Sequence, residues 1–407
     1  LIFFLFFTNR TDFYELNVGD GDNNVSIDYT RDSASATSRS VGMSGYDFTS
    51  GSGNDSLSVT ADYGVANAYS TYTRAAAFNM GAGADTLTVN GQYGGLNKVN
   101  LDMGAGDDRI KITLAQAATP TATPYIAVEN STVNFGAGSD TLTIATTGIN
   151  TGALKNSTIL ANGDDLGDKI DITGTVRATD FYMGGGDDTL EFRSTVNINT
   201  SATGYAAHAG LHSGSAMSHS VIDLGEGNNK LTVISEGTAN HETDGTGKMG
   251  TVTTANLRSH GVEGYDILAG SGNDQVRIEA DYGIYNGKDS SAGTRAESYT
   301  EINLGAGNDT LTVDSVYSSV YHAKINMGEG DDYARFSSYK GDFAVLHDAH
   351  VDMGSGNDTV EVDYANMVVS STWWDAKNVS GDYTFDTIKA HSSIDMGDGN
   401  DLLMLRS

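Results

Sequence analysis

The sequence predicts an all-β chain folded as an elongated, right-handed parallel β-solenoid (β-helix) of about thirteen coils. Three observations predict it. One short turn motif recurs along the whole chain, alternating strands flank each copy, and the spacing between copies suits one solenoid coil. The motif is typified by Leu304-Gly305-Ala306-Gly307-Asn308-Asp309-Thr310-Leu311-Thr312-Val313. Clear copies place their first glycine at Gly19, Gly51, Gly81, Gly104, Gly136, Gly184, Gly225, Gly270, Gly305, Gly328, Gly354 and Gly397, and a degenerate copy runs from Gly163 to Asp168.

The flanks read as strands. Ile302-Asn303-Leu304, Val351-Asp352-Met353 and Ile394-Asp395-Met396 alternate apolar and polar before the turn. Leu87-Thr88-Val89, Leu142-Thr143-Ile144, Leu231-Thr232-Val233 and Leu311-Thr312-Val313 do so after it. Alternation of period two with β-branched residues marks half-buried strands, whose inward residues stack as ladders. First glycines recur at uneven intervals, from roughly 20 to 45 residues. The short intervals fit one coil of two or three strands, and the longer ones fit the same coil carrying an inserted loop.

Composition agrees. Fifty glycines against two prolines, with no collagen period, call for many tight turns. Hydrophobic content is 38% but regularly placed, unlike a disordered chain. A formal charge of −30 disfavours nucleic acid and anionic membranes as partners. The absence of cysteine removes disulfide and thiolate chemistry, and no apolar run reaches the roughly 20 residues of a membrane span.

In chain order, residues 1–12 read as an apolar leader or fragment end, opening on Leu1-Ile2-Phe3-Phe4-Leu5-Phe6-Phe7. Residues 13–220 and 221–407 then read as two tandem solenoid modules. Gly45-Tyr46-Asp47-Phe48, Gly51-Ser52-Gly53-Asn54-Asp55 and Ala61-Asp62-Tyr63-Gly64-Val65 return in the same order as Gly264-Tyr265-Asp266-Ile267, Gly270-Ser271-Gly272-Asn273-Asp274 and Ala280-Asp281-Tyr282-Gly283-Ile284. Acid-free steps, Asn23-Asn24 and Asn228-Asn229, open each half.

The turn's chemistry leaves two readings open. Its glycines are free to take positive φ, so consecutive carbonyls can point toward one spot, and the aspartate adds a carboxylate. Such hard oxygen ligands suit calcium, with neighbouring turns sharing an ion. Carboxylates stacked ~5 Å apart repel by about 3 kcal/mol per pair at an effective dielectric of 20, and Asp107-Asp108, Asp187-Asp188 and Asp331-Asp332 add to this. The same residues could instead form an ion-free solenoid corner closed by Asx-turn and ladder hydrogen bonds.

Gly305-Ala306-Gly307-Asn308-Asp309-Thr310-Leu311 resembles the RTX (repeats-in-toxin) nonapeptide GGxGxDxUx of secreted bacterial calcium-binding proteins. That resemblance implies Ca2+ held by turn carbonyls and by Asp55, Asp85, Asp108, Asp140, Asp188, Asp274, Asp309, Asp332, Asp358 and Asp401. The glycines concerned are Gly51 and Gly53, Gly81 and Gly83, Gly104 and Gly106, Gly136 and Gly138, Gly184 and Gly186, Gly270 and Gly272, Gly305 and Gly307, Gly328 and Gly330, Gly354 and Gly356, and Gly397 and Gly399. Three departures count against calcium at particular coils: Asn23 and Asn229 replace the aspartate, and the copy ending at Asp168 has its glycines four apart. The nonapeptides are not in tandem, so a standard β-roll is not expected.

Elsewhere, His208, His212, His219, His241 and His260 read as exposed loop histidines ahead of a metal site. His347 and His350 should face opposite sides of a strand. Trp373-Trp374, with Tyr364 and Tyr383, reads either as a glycan- or protein-binding loop or as that loop's own small core. No catalytic motif appears. The expected function is a calcium-stabilised structural and adhesive repeat region of a large secreted bacterial cell-surface protein, not an enzyme, with a host or matrix protein or a glycan on its loops. An alternative is a self-assembling extracellular filament or surface-layer subunit, associating through solenoid ends or residues 1–7. A polysaccharide lyase or epimerase ranks third, because the 23 basic residues form no sequence cluster.

Overall fold

A computed structural model of the chain describes residues 14–29, 39–67, 74–115, 125–147, 151–195, 210–213, 219–236, 259–286, 299–339, 344–364, 388–389 and 392–406. The described residues form strands and turns with no helix, so no helix is long and apolar enough to cross a membrane. The chain divides into two compact units. One comprises Leu1–Arg193, Asn197–Ala206 and Ser220–Asn229, the other Ser194–Val196, Ala207–His219 and Lys230–Ser407. Each is a parallel β-solenoid.

Among the described residues a full coil presents three strand positions: a before the glycine corner, b after it, and c before a second corner. In the first unit stack a joins Tyr14–Gly19, Tyr46–Ser50, Ala76–Asn79, Val99–Asp102, Thr132–Asn134, Thr158–Leu160, Asp180–Tyr182 and Ser220–Asp223, all parallel. Stack b joins Asn24–Tyr29, Ser56–Ala66, Thr86–Asn97, Arg109–Ala115, Thr141–Thr147, Lys169–Thr173 and the start of Thr189–Thr195. Stack c joins Val41–Met43, the second halves of Ser56–Ala66 and Thr86–Asn97, then Tyr125–Glu129, Thr151–Lys155 and Thr175–Arg177. The second unit repeats the plan. Its strand Thr310–Asn326, 17 residues long, serves as b, c and a in turn, pairing first with Gln275–Tyr285 and then with Thr300–Asn303.

Register follows from alternation. Val25, Leu57, Leu87, Ile110, Leu142, Ile170 and Leu190 stack in one buried ladder, and Ile27, Val59, Val89, Ile112, Ile144, Ile172 and Phe192 in the next. A slip of one residue would turn both ladders to solvent. Each buried aliphatic side chain contributes about 1.5–3 kcal/mol, so the ladders fix which residue enters each corner. Met80, Met103, Phe135 and Met183 are fully buried at that entry.

The second corner has no counterpart in the motif. There the chain turns from c to a through one left-handed residue: Gly45, Lys98, Asn130, Asn156 and Ala178 in the first unit, Gly264, His322 and Asp348 in the second. After Asn130 and Asn156 come Ser131 and Ser157, whose hydroxyls donate to the carbonyls of Glu129 and Lys155, each at 2.9 Å. The hydroxyl closes the turn that asparagine tolerates.

Candidate cation site at the glycine corner

The alternating Leu-x-Val ladder of strand b places the residue just before it at one fixed point inside the corner. That residue is the motif aspartate. Its backbone N–H donates to Oδ1 of the aspartate one coil later. The bonds run from Asp55 to Asp85, Asp85 to Asp108, Asp108 to Asp140, Asp140 to Asp168 and Asp168 to Asp188, each at 2.7 Å. In the second unit Asp274 donates to Asp309 (2.8 Å), Asp309 to Asp332 (2.7 Å), Asp332 to Asp358 (2.8 Å) and Asp358 to Asp401 (3.1 Å).

Outside this inner ladder runs an exposed one of opposite sense. Here the N–H donates back to the previous coil: Asn54 to Asp22, Ala84 to Asn54, Ser139 to Asp107, Asp331 to Asn308 and Asn357 to Asp331. The adjacent acids of the sequence therefore separate. Asp108, Asp188 and Asp332 turn inward, while Asp107, Asp187 and Asp331 serve the outer ladder. Hydrogen bonds from the Asn228 backbone and side chain hold Asp187 below the usual carboxylate range.

The inner carboxylates are left half-satisfied. Oδ2 of Asp55, Asp85, Asp108, Asp140, Asp188, Asp309, Asp332 and Asp358 is buried and accepts no hydrogen bond, in residues 2% exposed or less. Burial pushes Asp85, Asp140 and Asp332 up to about 6 and Asp108, Asp168, Asp188 and Asp309 up to about 7. The ladder N–H opposes that rise, and neighbouring carboxylates reinforce it. A lone buried carboxylate oxygen costs free energy that a proton or a cation would relieve.

The asparagine corners show what each Oδ2 faces. Asn23 Nδ2 donates to Gly19 O (2.9 Å), to Gly21 O (2.6 Å) and to Asp55 Oδ1 (3.0 Å). Both glycine carbonyls thus converge on one point. Asn229 Oδ1 takes the ladder bond from Asp188 N–H at 3.0 Å, as aspartate Oδ1 does elsewhere, and its Nδ2 reaches Gly227 O at 3.2 Å. Where aspartate stands instead, the second side-chain atom is an oxygen, which cannot donate to a glycine carbonyl as the Asn23 nitrogen does. The donor set fits a hard cation such as calcium. Among the described residues no three His, Asp or Glu side chains gather around one metal position, so a cation here leans on backbone carbonyls as well as carboxylates.

Glycine is needed on steric grounds too. At Gly104 (φ +103°) a Cβ would lie 1.7 Å from Gly81 O, and at Gly106 (φ +131°) 2.1 Å from Gly83 O. The coils pack carbonyl against Cα at this edge. Turn amides fill the rest of the ladder: Ala105 N–H donates to Gly81 O (3.0 Å) and Gly83 N–H to Ala105 O (2.7 Å).

The sequence-derived set is therefore brought into two columns, one in each unit. Asp168 joins the first column, although its glycine spacing spoke against it. The histidines behave differently from exposed loop residues. His260 is buried, and it and His212 bond opposite oxygens of Glu263, at 2.5 and 3.2 Å. Burial works to raise the Glu263 carboxyl, but the two imidazoles outweigh it and hold that group well below its ordinary range. His219 bonds Asp266 at 2.8 Å. His347 lies flat on Tyr321 at 4.7 Å, and His350 bonds Ser393 at 3.0 Å. His208, His241, Trp373, Trp374, Tyr383 and residues 1–7 lie outside the described residues. No protein-family model, curated protein or solved structure matches the chain.

Proposed function

We propose that this chain is a calcium-stabilised structural and adhesive repeat region of a large secreted bacterial cell-surface protein. The observation that carries the calcium part is the buried Oδ2 of eight motif aspartates, set where Asn23 places a donor between two glycine carbonyls. Asp55, Asp85, Asp108, Asp140, Asp168 and Asp188 would hold calcium in the first unit, and Asp274, Asp309, Asp332, Asp358 and Asp401 in the second. The carbonyls of each corner's paired glycines complete the ligand set. The bound ion supplies positive charge to a column of stacked acids. The chain's own contribution is to bury the carboxylates, fix Oδ1 in the ladder and point Oδ2 inward.

A repetitive scaffold with this much acid suits a structural role outside the cell, where a cation can be part of the fold and long coils can present loops to a protein or glycan. Antibodies against the purified chain should label intact cells that make it. Labelling confined to lysed cells would overturn the surface assignment.

A further inference from the structure

We propose that the outward face of strand b in the first unit is a docking surface for an acidic polysaccharide, which deepens the adhesive reading and rests on it. Register gathers there three cations that lie apart in sequence. Arg109, Thr141 and Lys169 stack in one outward column, and Lys111, Thr143 and Asp171 in the next. The preceding coil continues the columns with Thr86 and Thr88. Arg109, Lys111 and Lys169 are exposed, and among the described residues none of the three has an ion-pair partner. Other cations of the unit, Arg74, Lys155 and Arg193, each hold a carboxylate. The same face of the second unit neutralises itself. There Arg277 pairs with Glu279, and Arg335 lies 2.9 Å from Asp314, 3.9 Å from Glu361 and 3.8 Å from Asp363.

The chemistry of the face selects its partner. On a chain of formal charge −30, three unpaired cations in one place keep positive charge available to a ligand. Asp171 is the one acid in the two columns of these three coils. Two strand spacings set Arg109 and Lys169 about 10 Å apart along the solenoid axis. That is the length of a disaccharide, so a linear chain with one carboxylate per disaccharide sets successive carboxylates on the two. Thr141 and Thr143 lie between, with hydroxyls that both donate to and accept from sugar hydroxyls. A protein partner, a second copy included, needs apolar or aromatic anchors at the centre of its interface. Of the apolar residue types, only alanine faces outward from Arg109–Ala115, Thr141–Thr147 and Lys169–Thr173.

Binding of the full chain to immobilised hyaluronan, which carries one carboxylate per disaccharide, tests this in calcium buffer at low salt. Hyaluronan with its carboxylates reduced to alcohols is the uncharged probe. One variant combines Arg109→Thr, Lys111→Thr and Lys169→Thr, extending the threonines already present in the columns. Arg277→Thr, on the second unit, is the control. Wild type should bind hyaluronan, release it as salt rises and hold the reduced chain more weakly. The triple variant should lose about tenfold in affinity, as three exposed charge pairs allow, with its melting temperature unchanged. Arg277→Thr should bind as wild type does. No binding by wild type, or equal binding by the triple variant, would overturn the docking surface while labelling of intact cells still supports the surface assignment. Wild-type dimers in sedimentation that the triple variant does not form would give the face to a second copy and overturn it as well. Labelling confined to lysed cells would instead remove the adhesive reading on which the surface rests.

Discussion

Replacing Gly104 with alanine separates the two demands that the corner makes on glycine. At φ +103° an L side chain is strained, at about 1–2 kcal/mol. The new Cβ would also stand 1.7 Å from Gly81 O, a backbone atom that cannot swing aside. Relief requires the two coils to part by more than an ångström at that edge. The flanking bonds, Ala105 N–H to Gly81 O at 3.0 Å and Gly83 N–H to Ala105 O at 2.7 Å, would then stretch or break. Each is worth ~1 kcal/mol net, more if its groups stay buried without partners. The total is about 4 kcal/mol. Gly19 offers the control, since at φ +76° a Cβ there meets nothing within 4 Å. Gly19→Ala should cost only the backbone strain. Urea unfolding in calcium, followed by the strand signal in circular dichroism, should place Gly104→Ala at least ~2 kcal/mol below Gly19→Ala. Equal costs, within about 0.5 kcal/mol, would refute the close stacking of these corners.

Phe181, fully buried and edge-on to Phe192 at 5.1 Å, should cost about 3–5 kcal/mol when cut to alanine, read from the same denaturation curves. Asp108, Asp168, Asp188 and Asp309 sit at about 7 and Asp332 at about 6 in the fold, above the unfolded value of about 3.9. The folded chain therefore keeps protons that the unfolded chain has released. In EGTA this contribution is fully present below about pH 4, declines between about 4 and 7, and is gone above. Calcium favours the ionised form and should flatten or reverse that slope, measured as melting temperature against pH in the two buffers.

Much of this fold is legible because the glycine corner and strand b announce themselves together. The Leu-x-Val alternation fixes register, and the residue before it must then enter the corner. That second rule is stricter than glycine spacing. Asp168 precedes Lys169-Ile170-Asp171-Ile172 and takes its place in the ladder even though its turn is irregular. Reading the acid from the strand instead of from the glycines would have included it. The second corner is harder to see. Its left-handed φ falls on Lys98, Asn130, Asn156, Ala178, His322 and Asp348, residue types with no common signature. Glu129-Asn130-Ser131-Thr132 and Lys155-Asn156-Ser157-Thr158 repeat an αL-tolerant asparagine followed by a closing hydroxyl, Thr179 supplies the same hydroxyl after Ala178, and Gly45-Tyr46-Asp47 recurs as Gly264-Tyr265-Asp266. The histidine partners were out of reach for another reason. His212 meets Glu263, and His219 meets Asp266, only because parallel coils bring distant segments into register.

The central claim is that buried aspartate corners are completed by calcium, and thermal unfolding of the intact chain near pH 8 tests it most directly. Each site held at a hundredfold excess over its dissociation constant adds about 2.7 kcal/mol to the folded state. Several filled corners should therefore raise the melting temperature in calcium well above that in EGTA, with return on adding calcium back. The same melting temperature in both buffers would contradict the account.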